Sequence, residues 1–494
     1  MQNQQVSKTP RTGMWFILFV CLHVAAWTLV PAMVRDNLPL DSIEGTIWGH
    51  QLEWGYDKNP FMNGWFTALA VWLDGYSGWM LYFFCQLSVA ASLTAAWLLG
   101  KKIMPPLYAL AAVLLLEGIQ YYNFHAIDFN DNTLELGLWA GAIYFFYQAM
   151  RKKTLSAWLL TGILLGLGMM TKYYTLALIA SLGLFVLRKE NRAQLKTLPP
   201  YLGLLACIVI MIPHAIWLTQ HEYITITYML KRGSAEPSWM NHFFFPVQFI
   251  WQQFEAFLPA LIIFSLLFIG KRPLTATPPL KITTDDKAFL FYAGLGPFIL
   301  TALLSLIMGI KLRAGWGMPL MTFWTLWLMA MVTPRLSATK LYALLAGTFT
   351  LMAALLIGYS VAIIDSSDTS SANFPGQEIS TTITQRWHDT YHTPVTYIAG
   401  SRWISGNISF HSKDHPAVLM EWDTVRSSWI DINDLKKKGA IFVWDISAHE
   451  SLPVAVSEAY PSLGETTVME FEWRRNTHDL PPIKIGVVFL PPEK

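Results

Sequence analysis

The chain has 494 residues, 53% of them hydrophobic and 14% charged, with a mean hydropathy of +0.37. A soluble domain carries about 25% charged residues, so the composition excludes an ordinary globular protein and reads as a polytopic α-helical membrane protein. Lys plus Arg number 35 and Asp plus Glu 33, a formal net charge of +2, which excludes a strongly basic nucleic-acid binder. Cys21, Cys85 and Cys207 all fall in apolar runs; they read as small buried residues and imply neither a disulfide framework nor a zinc site.

Residues 1–13 are polar and carry no small-residue cleavage pattern before the first apolar run, which therefore reads as a retained anchor rather than a removed signal. A membrane helix needs about 20 largely apolar residues. About eleven segments meet or approach that: 14–34, 79–100, 104–122, 133–149, 155–171, 174–187, 199–218, 247–269, 288–309, 315–332 and 339–363. The sixth is the shortest. Cytoplasmic loops are enriched in Lys and Arg. With the N-terminus inside, seventeen such residues fall on the cytoplasmic side of the membrane region and seven on the other. An odd number of spans then puts the C-terminal tail outside. The seven exceptions are Arg35, Lys58, Lys172, Lys231, Arg232, Lys311 and Arg313. Nearly all stand within a few residues of a span end, beside aromatics or carboxylates, as cations that meet an anion would.

The first exterior loop, residues 40–66, sets Asp41, Glu44, Glu53, Asp57 and Lys58 among Trp48, Trp54, Tyr56 and Trp65. Residues 40–54 and 60–73 have helical spacing and predict two short helices lying in the membrane interface, joined at 55–60, with Gly55 past one helix end and Pro60 at the start of the next. The second exterior loop, 121–132, mixes aromatics and amides with Asp128 and Asp131. The third leaves Lys172 between span ends. His214 and His221 stand seven apart near the end of the seventh span, and a loop of 219–246 follows with Lys231 and Arg232. From about Asp365 the apolar spans stop. A Ser/Asp/Thr linker, 365–373, leads to helices near 377–392, 402–411 and 430–438, alternating with strand-like 395–399, 417–421, 440–444, 466–473 and 485–490. This alternation predicts a small α/β domain with a partly parallel sheet. The division is thus 1–364, membrane region, and 365–494, exterior domain. Neither a phosphate-binding glycine loop in the tail nor an internal repeat is visible.

The sequence Asp41-Ser42-Ile43-Glu44-Gly45, then Trp48, then Gly55-Tyr56-Asp57-Lys58-Asn59-Pro60, resembles the first-loop signature of bacterial polyprenyl-phosphate-dependent glycosyltransferases of GT-C type. That family includes protein O-mannosyltransferases, the lipid A aminoarabinose transferase and lipid A galacturonosyltransferases. Asn130 to Trp139, Thr171-Lys172-Tyr173, Pro213-His214 with Trp217 and His221, and Trp316-Gly317-Met318-Pro319 resemble later landmarks in the same order. The chain departs from the pattern where Ser42 replaces the second acid of a frequent Asp-Glu pair, leaving Glu44 as the second carboxylate, and where Asn59-Pro60-Phe61 replaces His-Pro-Pro. The resemblance implies a lipid-linked sugar donor, an inverting transfer at the periplasmic face, an envelope glycolipid or glycan such as lipid A as acceptor, and no nucleotide-sugar site.

Such a transfer needs a base for the acceptor hydroxyl and cations for the departing phosphate. Asp41 is the candidate base and Glu44 an accessory carboxylate; three residues apart on a helix, they share a face. Lys58, Lys172 and Arg313 are the candidate phosphate ligands. Tyr56 and Tyr173, with Trp54, are candidate sugar-stacking rings. The alternatives are helix-capping acids, snorkelling cations and an ordinary aromatic belt. His214 and His221 read as substrate-binding or as satisfied interfacial histidines; no cofactor is called for and a divalent cation stays open. Two rival classes are a flippase of lipid-linked sugars, which should show repeated halves and mid-span charges, and a non-catalytic envelope-assembly subunit.

Overall fold

The structure is a computed structural model that describes residues 11–236, 238–268, 281–365, 368–476 and 479–493. Lys8, Lys271 and Arg272, the last residue of the segment expected at 247–269, and two residues of the 365–373 linker lie outside that set.

Each of the eleven apolar segments carries helix. The membrane region is built from α1 (Thr12–Val34), α2 (Leu40–Gly49), α3 (Met62–Asp74), α4 (Trp79–Ile103), α5 (Pro106–Leu114), α6 (Asp131–Lys152), α7 (Leu155–Thr171), α8 (Thr175–Leu187), α9 (Pro199–Gln220), α10 (Ile224–Gly233), α11 (Asn241–Leu266), α12 (Thr284–Leu290), α13 (Gly296–Met308), α14 (Trp324–Val332) and α15 (Ala338–Ile364). By length and composition, α1, α4, α9, α11, the continuous run Thr284–Met308 and α15 are each long and apolar enough to cross a bilayer. Arg151 and Lys152 in the last turn of α6, and Lys101 and Lys102 in that of α4, sit where the helix dipole favours cations.

Two expected spans are cut short. The segment 104–122 leaves α-helix at Leu114 and continues as 3-10 turns, Leu115–Gly118 and Gln120–Tyr122, because Glu117 turns inward to pair with the buried His23 of α1 at 2.8 Å. The segment 315–332 begins as a 3-10 turn, Ala314–Leu320, and is α-helical only from Trp324; Gly315, Gly317 and Pro319 are poor α-formers.

Contacts between loops follow the alternation expected from the charges. Arg151 pairs with Asp285 and Asp286 at 2.7 and 2.5 Å, and Arg188 with Asp285 at 3.2 Å, which gathers three loops expected on one side. The opposite loops meet each other instead: Tyr121 Oη donates to Ala314 O at 2.7 Å, and Lys311 N to Gly233 O at 3.0 Å.

The last part of the chain folds as α16 (Gly376–Tyr391), β1 (Tyr397–Gly400), α17 (Arg402–His411), β2 (Ala417–Met420), α18 (Ile432–Lys438), β3 (Ala440–Asp445), α19 (Val454–Ala459), β4 (Thr467–Phe471) and β5 (Ile483–Leu490). The sheet order is β2-β1-β3-β5-β4; β1 is parallel to β2 and β3, and β5 antiparallel to β3 and β4. This is the partly parallel α/β unit that the alternation predicts.

The first exterior loop differs from expectation in a way that matters for the site. Its two short helices exist, but α2 ends at Gly49 and α3 starts only at Met62. Between them the chain doubles back: Tyr56 N donates to Asn59 O at 3.0 Å and Gly55 bridges Pro60. Gly55 and Pro60 therefore face each other in a tight turn rather than capping helices. Only α3 presents an apolar face outward, through Leu69, Trp72 and Leu73. Residues 42–48 of α2 are all buried, because α2 lies beneath α17. Ile47 and Trp48 share one hydrophobic core with Ile404, Ile408, Val418 and Ile441 of the sheet unit. The interface that receives α2 is protein rather than lipid.

Candidate active site

A cavity of about 440 Å³ opens where the first, second and last exterior loops meet the linker after α15. Its polar lining includes Arg35, Asp41, His125, Asp128, Asn130 and Asn132, and its apolar wall Tyr121, Phe124 and Met318. Asp41 stands in the first turn of α2, half-buried. Its Oδ2 accepts from Asn130 Nδ2 at 3.1 Å.

The neighbour of Asp41 is Asp128. Helix α2 follows Pro39, which offers no side-chain cap, so the first amides of the helix need an acceptor from elsewhere. Asp128 supplies it. Its Oδ1 accepts from Ser42 N at 2.9 Å and Ser42 Oγ at 2.8 Å, and its Oδ2 from Asp41 N at 3.4 Å. Loss of water, and after it the Asp41 carboxylate, push the Asp128 carboxyl up to about 7.

Lys172 reaches the same cavity through one amide. Its Nζ donates to Asn132 Oδ1 at 2.6 Å and lies 5.2 Å from the Trp316 ring centre. Among the charges that act on it are Glu135, Asp131 and Asp41, which oppose the lowering of its pKa by desolvation. Asp41 and Lys172 thus occupy one electrostatic neighbourhood. Asn59 Nδ2 donates to Asp131 Oδ2 at 2.5 Å and ties the first-loop turn to the start of α6.

The other candidates are distributed around this centre. Glu44 lies one turn along α2, buried, in contact with Lys58 Nζ at 2.6 Å and with Arg402 of α17; it does not line the cavity. Tyr56 is fully enclosed, stacked on Trp48 at 5.4 Å with its Oη donating to Gln51 O, so its ring offers no face to a sugar. Tyr173 Oη donates to His214 Nε2 at 2.5 Å, while His214 Nδ1 donates to Trp54 O at 2.7 Å. His221 gives its Nδ1 to Trp217 O and stacks on the Trp217 ring at 4.1 Å; Trp217 Nε1 donates to Glu53 Oε2. The two histidines therefore spend themselves in a stack that pins residues 53–55 to α9. Arg313 is exposed and makes no ion pair among the described residues. Among those residues no group of three or more His, Cys, Asp or Glu is arranged to hold a metal ion.

Sequence reasoning noted Asp128 and the segment from Asn130 but gave Asp128, Asn130 and Asn132 no role in the site, and it passed over Arg402. The first three stand in a run dense in acids and amides, Asp128-Phe129-Asn130-Asp131-Asn132, which was the available signal. Arg402 had none.

Against known proteins, a profile of the dolichyl-phosphate-mannose-protein mannosyltransferase family matches residues 58–217. The undecaprenyl phosphate-alpha-4-amino-4-deoxy-L-arabinose arabinosyl transferase 1 of Sodalis glossinidius is 26% identical over 242 residues, 45% of this chain and 40% of that protein. The lipopolysaccharide core galacturonosyltransferase RgtA of Rhizobium johnstonii is 24% identical over 220 residues, 44% and 43% of the two. The chain thus spans about two-fifths of the length of these curated relatives. The crystal structure of ArnT from Cupriavidus metallidurans bound to undecaprenyl phosphate superposes with a TM-score of 0.66 at 14% identity, over 97% of this chain and 98% of that one; its apo form gives 0.65. The match to the mannosyltransferase profile is thus confined to residues 58–217, and what this multi-pass membrane protein shares with the two ArnT structures, at 14% identity, is the fold.

Proposed function

We propose that the chain is an inverting glycosyltransferase that moves a sugar from a polyprenyl phosphate to an envelope glycolipid, of the lipid A or lipopolysaccharide-core class. The observation that carries the reading is the cavity itself, in which Asp41 and Asp128 face a pocket whose rim is held by Arg35 and, through Asn132, by Lys172. The names of the relatives support the substrate class: one transfers aminoarabinose from undecaprenyl phosphate and one is a lipopolysaccharide core galacturonosyltransferase.

In this reading Asp41 accepts the proton of the acceptor hydroxyl as its oxygen forms a bond to the anomeric carbon. The bond from that carbon to the phosphate oxygen breaks, and both its electrons leave with the polyprenyl phosphate. Lys172 and Lys58 meet the anion, so the leaving group needs no protonation. Asp128 holds the end of α2 that carries the base. Glu44 belongs to the ionic cluster that places Lys58. The transfer takes place at the periplasmic face, with the N-terminus cytoplasmic and the sheet unit outside, as the distribution of Lys and Arg supports.

The test supplies purified protein with synthetic polyprenyl-phosphate sugars and extracted envelope lipids, and follows new adducts by mass spectrometry. Asp41→Asn is expected to lower turnover by about 10²–10⁴ in a protein that still folds. Full turnover by that variant would remove Asp41 from the role of base.

A further inference from the structure

One face of α17 is built to dock on the first exterior loop. Arg402, Gly406, Asn407 and His411 fall on it at helical spacing. A side chain at Gly406 would meet Ile43 at 2.8 Å and Ile47 at 2.9 Å. Asn407 Oδ1 accepts from Asn37 Nδ2 at 2.7 Å, and His411 Nε2 lies 3.0 Å from Asn37 Oδ1. Arg402 leads this face. Its backbone N–H donates to Glu421 Oε1 at 3.0 Å, its Nη2 donates to Asp57 Oδ2 at 2.7 Å, and its Nη1 contacts Glu44. Glu44 Oε1 is also the partner of Lys58, at 2.6 Å.

Two carboxylates, Glu44 and Asp57, and two cations, Arg402 and Lys58, therefore form the inner set, with Glu421 and Arg426 acting on it from outside. Its members differ in access to water. The side chains of Glu44, Asp57 and Arg402 are 7%, 4% and 12% exposed, that of Lys58 25%. Lysine is a mobile point charge on a flexible stem, whereas the planar arginine fork can hold two carboxylates in fixed geometry. A buried carboxylate left without a cation is costly. Lys58 can leave Glu44 for an incoming anion only if another cation stays behind.

We propose that Arg402 is the cation that stays: a positioning residue, lent by the sheet unit, which keeps Glu44 and Asp57 compensated and thereby frees Lys58 to engage the phosphate of the lipid donor. This rests on the reading above that Lys58 meets that phosphate. The sheet unit then sets donor affinity without touching the donor. Removing the guanidinium leaves two carboxylates competing for Lys58, and the lysine is held back.

The test is binding of a synthetic polyprenyl phosphate to the full-length protein in detergent micelles, followed by intrinsic fluorescence, with a melting curve for every variant. Arg402→Gln is expected to weaken binding about tenfold, the effect of roughly one displaced charge interaction. Arg402→Lys recovers part of it. The double variant Glu44→Gln/Arg402→Gln, in which charge is balanced again, returns to within about threefold of the parent. Unchanged affinity in Arg402→Gln, or a double variant as weak as the single one, would overturn the proposal and leave Arg402 as a docking contact alone. If Arg402→Gln does not fold, Arg402→Lys carries the comparison: affinity about threefold below the parent supports the proposal, and parental affinity overturns it. Absence of saturable binding by the parent protein would instead overturn the lipid-phosphate reading itself.

Discussion

Asp128 does two things with one carboxylate: it closes the open amide end of α2 and it presses against Asp41. The Asp41 charge opposes ionisation of Asp128, because a like charge nearby disfavours the charged form. With the Asp128 carboxyl raised to about 7, the fully ionised pair, the stronger proton acceptor, forms only above that value. We therefore expect kcat/KM to rise with pH and to level off above about 7. In Asp128→Asn the like charge is gone, so the rising limb should move to lower pH while the plateau falls. A profile identical to that of the parent protein would show that Asp128 does not share the proposed site's proton. Asp41 was legible in the sequence because an acid at the start of an amphipathic helix, just after a span, has few reasons to be there. Asp128 was harder to read, because its partners are the backbone amides of a helix 86 and 87 residues earlier, and no local pattern records them.

Among the elements, α9 and the 51–61 turn show how an expected binding motif serves as scaffold. The stack of His214, Trp217 and His221 grips the turn so closely that a methyl group at Gly55 would lie 2.5 Å from the Trp217 ring and 2.8 Å from His214 Nδ1. Gly55→Ala should therefore cost about 1–3 kcal/mol by overpacking, read as a lower melting temperature, with part of the donor affinity lost because Lys58 follows three residues later. A melting temperature equal to the parent's would show that the stack gives way. The same crowding explains why α2 and α3 came out shorter than their periodicity suggested. Helical spacing continues past Gly49, but the Tyr56 ring, buried against Trp48 and Gly64, needs a reversal of the chain there. Tertiary packing won over local preference. The strands and helices of the last 120 or so residues were legible for the opposite reason, since short apolar strands between amphipathic helices leave little choice of pairing.

For the molecule as a whole, hydropathy located the helices but not their breaks. Eleven segments were readable, yet hydropathy alone could not show that two of them break into 3-10 turns at Glu117 and at Gly315 to Pro319. The sidedness of the loops, by contrast, agrees with which loops touch: Arg151, Arg188 and Asp285 gather at one end, and the cavity residues at the other. In a cysteine-free background, a cysteine in place of exposed Glu450 should react with a membrane-impermeant maleimide on intact spheroplasts. One in place of exposed Lys189 should react only after permeabilisation. The reverse pattern would invert the topology and with it the face at which transfer is proposed.

The burial of α2 beneath α17 also bears on how the protein comes into being. Arg402 meets Asp57 across 345 positions of chain, so the partner that covers the first loop leaves the ribosome long after the loop itself. Until then Ile43, Ile47 and Trp48, which end up buried, have no lid, although Asp128, made 86 residues after Ser42, is already there to close the amide end of α2. A nascent chain arrested near residue 365 would hold its membrane helices and the aspartates that line the cavity, but with an uncovered greasy helix at the surface, a target for quality-control proteolysis. Completion of the cavity's surroundings is in this way postponed until the sheet unit has been made.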